Sequence, residues 1–353
     1  MEEHLPAEQS PTEEESPGTG CANCGQPALE GNHAARLCGD CRAYFIRFPI
    51  PLWIRVFAGG ICIVLLFSLF TLPKNLSLGI HLEKGIKAGK EKNYFTAEKE
   101  LKSVLEKAPD NLEAKVHLTT AAFYNQDFET LMTLLKKLSK VRFEDQELFS
   151  ELEATADKTL TYIPNDSFGN FTVSHPDLAK LTASDWEGYF LHNPDDNYAA
   201  IAYSSELYDR KEYETADSVL QTILKRTPEY GTALMLETNL KREQHKLDEA
   251  AVYCNRMLSM NHELPYGLAI QSRILLQQKK DKQALDLALK NYKKFDGNYY
   301  VVSSLMLAYH FNGRIPERDA LVRQLQAAKL DSLAKTQVQY ALDVIAQKEK
   351  FRD

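Results

Sequence analysis

From residue 78 onward, apolar positions recur at intervals of three and four, the spacing that gathers side chains on one face of an α-helix. Ala200, Tyr203, Ser204 and Leu207 share a face of one such segment, and Ala216, Leu220, Ile223 and Leu224 share a face of the next. The pattern then returns. Tyr213-Glu214-Thr215-Ala216 is answered by Leu247-Asp248-Glu249-Ala250 and by Asp281-Lys282-Gln283-Ala284, so three alanines stand at a constant interval of thirty-four. A fixed period of that length predicts stacked units, each of two amphipathic helices joined by a short turn.

The frame extends in both directions. Ala97 follows Tyr94 by three residues, and Pro109 closes that unit. One period later Phe128 and Leu131 take the places of Tyr94 and Ala97. The unit opening near Asn197 closes at Arg226-Thr227-Pro228-Glu229, and a weaker copy runs from Tyr299 through Tyr309, Asn312 and Gly313. The small residue has a steric cause, since the two helices of a tight hairpin cross closely and a larger side chain would separate them. Proline ends the second helix because it lacks the amide hydrogen and clashes with the preceding turn.

Aromatic residue, alanine three on, apolar helix and closing proline together resemble the tetratricopeptide repeat over roughly residues 78–330. The resemblance implies an all-α, right-handed helix-hairpin solenoid. Gly85 matches the family's small residue in the first helix; Ser204, Thr238 and Ser272 approximate it, while Leu131 and Arg318 replace the alanine of the second. An irregular all-helical domain is the alternative. Repeats 1–2 are expected over 78–144 and repeats 3–6 over 197–331. Between them, residues 145–196 exceed one period by about half a unit and contain Pro164-Asn165-Asp166-Ser167-Phe168-Gly169-Asn170, a cluster of turn formers that predicts a degenerate repeat carrying an insertion. Residues 332–353 are expected to cap the last repeat, because an open solenoid end exposes apolar surface.

Residues 1–20 hold six glutamates, three prolines and no lysine or arginine, a composition that predicts a disordered acidic tail. This tail carries −6 of the chain's net charge of −7; residues 21–73 contribute +2 and the remainder −3. No large basic field is left, so charge gives a nucleic-acid partner no support. Cys21-Ala22-Asn23-Cys24 and Cys38-Gly39-Asp40-Cys41 follow, two pairs with residues 25–37 between them, a spacing that suits four thiolates around one zinc ion. Gly25, after the second cysteine, suits a knuckle. The pattern over 21–45 resembles a zinc ribbon; two disulfides or iron are the alternatives. So small a module has no core, and a structural metal would supply its folding energy.

Residues 52–72 carry no charge from Val56 to Leu72, with Trp53 and Arg55 at one edge. That pattern predicts a single transmembrane helix, with a buried soluble helix as the alternative. Arg42, Arg47 and Arg55 on one side nearly balance Lys74, Lys84 and Lys87 on the other, so flanking charge does not orient it. Zinc-holding thiolates favour a cytosolic N-terminus. The expected location is a bacterial inner membrane with the repeats external or periplasmic; the opposite topology stays open.

The sequence contains no nucleophile elbow, phosphate loop, dinucleotide fingerprint or zinc-protease motif, so an enzyme is not expected. His175, His192, Asp195 and Asp196 form a polar cluster, but Asn193-Pro194-Asp195-Asp196-Asn197 reads better as a turn and helix cap. In the tetratricopeptide family the first helix of each unit lines a concave groove. The frame places Tyr198, Tyr208, Asn239, Arg242, Tyr266, Arg273, Gln277, Tyr300 and His310 there. Tyr and Arg frequently dominate binding energy, and Asn239 matches an asparagine with which some members hold a peptide carboxylate. Met235 stands where a cationic partner of such a clamp is expected. Two functions follow: a membrane-anchored scaffold that holds a protein or peptide partner in its groove, or a transmembrane regulatory protein whose zinc module contacts cytosolic partners while the repeats sense an external ligand.

Overall fold

The computed structural model describes residues 20–27, 36–46 and 50–352. The acidic tail expected over 1–20 lies outside them apart from Gly20. The chain divides into two compact units, Met1–Lys74 and Asn75–Asp353. Every regular element among the described residues is helical.

In the first unit, α1 (Gly39–Ile46) opens inside the second cysteine pair and α2 (Leu52–Lys90) begins. The membrane expectation is corrected here: among the described residues no helix is long and apolar enough to cross a membrane. The single-pass location in a bacterial inner membrane, with its external or periplasmic repeats, therefore falls.

The second unit is a series of helix hairpins. The end of α2 pairs with α3 (Tyr94–Lys107), and α4 (Leu112–Asn125) with α5 (Phe128–Leu138). Further along, α9 (Asn197–Asp209) pairs with α10 (Tyr213–Arg226), and α11 (Gly231–Glu243) with α12 (Leu247–Met260). Then α13 (Pro265–Gln277) pairs with α14 (Asp281–Lys294), α15 (Tyr299–Phe311) with α16 (Ile315–Ala327), and α17 (Ser332–Ile345) packs on α15. This is a tetratricopeptide-like helical array. The periodic alanines Ala97, Ala216, Ala250 and Ala284 are buried at the crossings. A Cβ on Gly85 would stand 2.7 Å from the Leu101 side chain, which shows how closely α2 and α3 approach. Ser204, Thr238 and Ser272 keep that small volume and return their hydroxyls to their own helices, donating to the carbonyls of Ala200, Leu234 and Leu268.

Each hairpin turn uses one residue of left-handed conformation: Lys92, Gln126, Lys211, His245, Lys279 and Gly313, with φ between 58° and 67°. Only one is glycine. At the others the strain of a left-handed L-residue is offset by a closing pair of bonds, as where His245 N–H donates to Arg242 O at 3.0 Å and Lys246 N–H to Lys241 O at 2.8 Å. These turns step by one period of the sequence repeat, from 92 to 126 and again from 211 to 245, 279 and 313. Between 126 and 211 the step is two periods and a half.

The irregularity has a local cause. Asp145, one period after the cap Asn111, caps α6 (Gln146–Leu160), so a first helix forms in frame. Pro164 follows at once, and two short helices, α7 (Asp166–Ser174) and α8 (Ala183–His192), precede the Asp196 cap of α9. They fold around Trp186, fully buried against Phe168, Phe171, Phe190 and Tyr203. Arg210 fixes them to α9, donating to Ala179 O at 2.7 Å and Leu181 O at 2.9 Å.

Beyond this corner the later hairpins meet the first ones. Tyr162 stacks on Tyr230 at 4.2 Å, and Phe95 meets Phe295 edge-on at 4.7 Å. Asn93 gives α3 no side-chain cap. Glu263, from the loop before α13, does so instead: it accepts from Thr96 N–H at 2.8 Å and Thr96 Oγ1 at 3.0 Å, and pairs with Lys294. A carboxylate at a helix N-terminus satisfies free amides and opposes the helix dipole.

Candidate functional site

In the first unit, the Sγ atoms of Cys21, Cys24, Cys38 and Cys41 all lie within 4.8 Å of one another. Cys24 Sγ and Cys38 Sγ are 3.5 Å apart, well beyond a disulfide bond, and all four cysteines are free. Gly25 has φ of 73°, which turns the chain after Cys24, and its N–H donates to Cys21 O at 2.9 Å. Asn23 Nδ2 and the Cys41 amide point at sulfur, the former to Cys41 and the latter to Cys38. Four convergent thiol sulfurs with amide donors fit a tetrahedral metal ion.

The nine groove residues expected from sequence do not come together as one group. Tyr198 sits edge-on to Phe168 at 5.4 Å, and Tyr208 packs on Tyr213 at 5.7 Å, where burial pushes its phenol up. Asn239, Arg242, Tyr266, Gln277 and Tyr300 form one connected group. Asn239 Nδ2 donates to Tyr266 Oη at 2.6 Å, Tyr266 meets Tyr300 edge-on at 5.0 Å, and Arg242 donates to Gln277 Oε1 at 2.9 Å and Asn239 Oδ1 at 3.3 Å. These side chains bridge α11, α13 and α15. Arg273 lies beside them, buried under α17: it donates to Ser304 Oγ at 2.9 Å and Ser303 Oγ at 2.7 Å and faces the Tyr340 ring at 5.3 Å. Burial and then the neighbouring Arg242 charge push its guanidinium down to about 10. His310 stands apart, receiving a hydrogen bond from Arg318 at 3.1 Å; burial, then Arg318 and Arg352, lower its pKa.

An open cavity lies elsewhere, between α2, α3, α4 and α6. It holds about 290 Å³ and is lined by Lys90, Tyr94, His117, Tyr124, Glu151 and Lys158, with Gly85 and Gly89 in its wall. Tyr94 and Tyr124 stack at 4.4 Å, and Lys158 Nζ donates to Tyr124 Oη at 2.9 Å. His117 Nδ1 and Thr120 Oγ1 approach Glu151 Oε1 at 3.0 and 2.7 Å. Burial would raise the Glu151 carboxyl, but these hydrogen bonds outweigh it and hold it below its usual range. The expectation from sequence missed these residues, although its own period contained them. Lys90, Tyr124 and Lys158 stand one period apart, as do His117 and Glu151. Equivalent positions of successive first helices thus build one wall.

Two other polar clusters have structural explanations. Lys241 joins Asp217 at 2.7 Å and Glu237 and Glu249 at 3.4 Å each, tying α10, α11 and α12 together. Burial and the Asp217 charge push the Glu237 carboxyl up to about 8. In the insertion, His175 and His192 bond to carbonyls of their own helices, Asp195 pairs with Arg226, and Asp196 caps α9 while accepting from Tyr189 Oη at 2.6 Å. His175 and His192 line one open pocket, and Asp195 and Asp196 are not among its lining residues.

No protein-family profile and no curated protein sequence matches the chain. Among solved structures, Pseudomonas aeruginosa pilF is similar at 14% identity, over 76% of this chain and 99% of that one, with a TM-score of 0.32. Yeast Tom70 is similar at 12% identity, over 72% of this chain and 61% of that one, with a TM-score of 0.37. At such low superposition the repeat assignment rests on the chain's own periodic hairpins.

Proposed function

We propose that this protein is an interaction scaffold, binding rather than catalytic, which holds a segment of a protein partner on the layer of first helices. The cavity between α2, α3, α4 and α6 carries the reading. It combines an aromatic floor, two lysines and a fixed carboxylate at positions that successive repeats supply in register. Rigid aromatic area beside directed polar groups suits peptide recognition. Gly89 offers a clean test, because a Cβ added there meets nothing within 4 Å. A photo-crosslinking residue at position 158 should trap a defined protein partner in cells, and Gly89→Trp should abolish that adduct while leaving the melting temperature unchanged. The same adducts from a crosslinker at exposed Val252 on α12, or adducts indifferent to Gly89→Trp, would reject the cavity as the site.

In the same reading the four cysteines hold one zinc ion in a structural role. Elemental analysis of the full chain should give one zinc per chain, lost in a Cys21→Ser/Cys24→Ser variant. Retention of the metal by that variant would refute the ligand set.

A further inference from the structure

The left-handed residues of the hairpin turns continue one step further than the hairpins. Gln347, with φ of 58°, lies one period after Gly313, and the same closing bonds form, Gln347 N–H to Val344 O at 3.0 Å and Lys348 N–H to Asp343 O at 2.8 Å. From this turn the chain runs back to the C-terminal ends of α15 and α13.

Two residues of that segment are anchored into the array. Gln347 to Lys350 are exposed, whereas Phe351 is 4% exposed and stacks on Phe311, the last residue of α15, at 5.3 Å. Gln277, the last residue of α13, donates to Phe351 O at 3.1 Å. Arg352 packs its guanidinium over the Phe311 ring at 4.0 Å, donates to Leu276 O at 2.7 Å and pairs with both carboxylate oxygens of Asp281. Leu276 O already accepts from Lys279 N–H at 3.0 Å and takes Arg352 as a further donor; a planar guanidinium can meet a carboxylate, a carbonyl and a ring face together, which lysine cannot. The site therefore reads an aromatic residue, that residue's backbone carbonyl, and then arginine. Through Gln277 it joins Arg242.

We propose that the C-terminal ends of α13 and α15 form a binding site for an extended segment of a partner protein carrying an aromatic residue followed by arginine, and that residues 346–352 occupy it as an internal ligand. The inference rests on the scaffold reading, but it concerns the other half of the helical layer. Its outcome is independent of crosslinking at position 158. An internal ligand competes at a high effective concentration, so a free peptide gains access only when Phe351 and Arg352 release.

The test uses the full chain with Phe351→Ala and Arg352→Ala, and a fluorescent peptide of residues 346–352, Ala-Gln-Lys-Glu-Lys-Phe-Arg. In anisotropy titrations the variant should bind the peptide saturably and at least tenfold more tightly than the unsubstituted chain. Replacing the peptide's phenylalanine by alanine, or its arginine by glutamate, should abolish binding, as should Asp281→Asn added to the variant. A variant that melts as a folded protein and binds no peptide would overturn the proposal, as would equal binding by both chains. Loss of the fold in the variant would also overturn it, since the segment would then be a structural cap rather than a displaceable ligand.

Discussion

The two halves of the helical array use the same hairpin and finish it differently. In the first half, α2, α4 and α6 leave a cavity in which Lys90, Tyr124 and Lys158 repeat at one position of the period. In the second half the corresponding layer is closed. Arg242, Gln277, Asn239 and Tyr266 bond to one another, Arg273 is covered by α17, and residues 351–352 lie across the helix ends. One repeat geometry thus yields an open surface where first helices face solvent and a sealed one where the chain supplies its own occupant. The corner between them is the segment in which α6 is followed by two short helices, α7 and α8, in place of one ordinary second helix.

That corner is where the contrast is most vulnerable to substitution. Trp186 is fully buried among four aromatic rings, and Trp186→Ala should cost about 3–5 kcal/mol by cavity formation. Chemical denaturation should show the loss; a change below about 1 kcal/mol would mean that the corner does not contribute to holding the halves. Glu263→Ala acts on the direct contact, removing the cap of α3 and leaving Lys294 without its carboxylate, for an expected loss of about 1–3 kcal/mol. Glu263→Gln, which keeps an acceptor for Thr96, should lose less. Equal losses would show that the amide capping is unimportant.

A smaller effect separates the halves by pH. The Glu237 carboxyl, raised from 4.5 to about 8, belongs to the second half alone. The folded chain retains that proton between these values while the unfolded chain releases it. Its contribution to stability is therefore fully present below about 4.5, falls as pH rises towards about 8 and is lost above. Glu237→Gln should reduce the fall in melting temperature between pH 6 and pH 8.5 relative to the unsubstituted chain. An unchanged fall would place the proton elsewhere.

Much of the hairpin was legible in the sequence because burial at a close crossing restricts residue type. Ala97, Ala216, Ala250 and Ala284, and the small residues Ser204, Thr238 and Ser272, could hardly be anything larger. The turns were not legible, since five of the six left-handed hairpin positions carry ordinary polar or basic side chains whose strain is offset by backbone bonds. The repeat frame assigned Arg242 and Gln277 to first helices, and they stand in α11 and α13, but it did not give their orientation. A period places Arg242 and Gln277 on a layer; it does not say that a segment 74 residues beyond Gln277 will bond to that glutamine. Contacts such as Thr96 with Glu263, separated by 167 residues, depend on where the corner turns the array. The apolar run of α2 was plain in the sequence, yet its transmembrane interpretation fails, because no helix among the described residues is long and apolar enough.

Hydrogen–deuterium exchange on the full chain tests the contrast between an open and a self-covered half most directly. With Phe351→Ala and Arg352→Ala, exchange should rise at the ends of α13 and α15, over residues 274–280 and 308–314, and stay unchanged in α4 and α6. No change at those two helix ends, or a rise shared equally by both halves, would contradict the account.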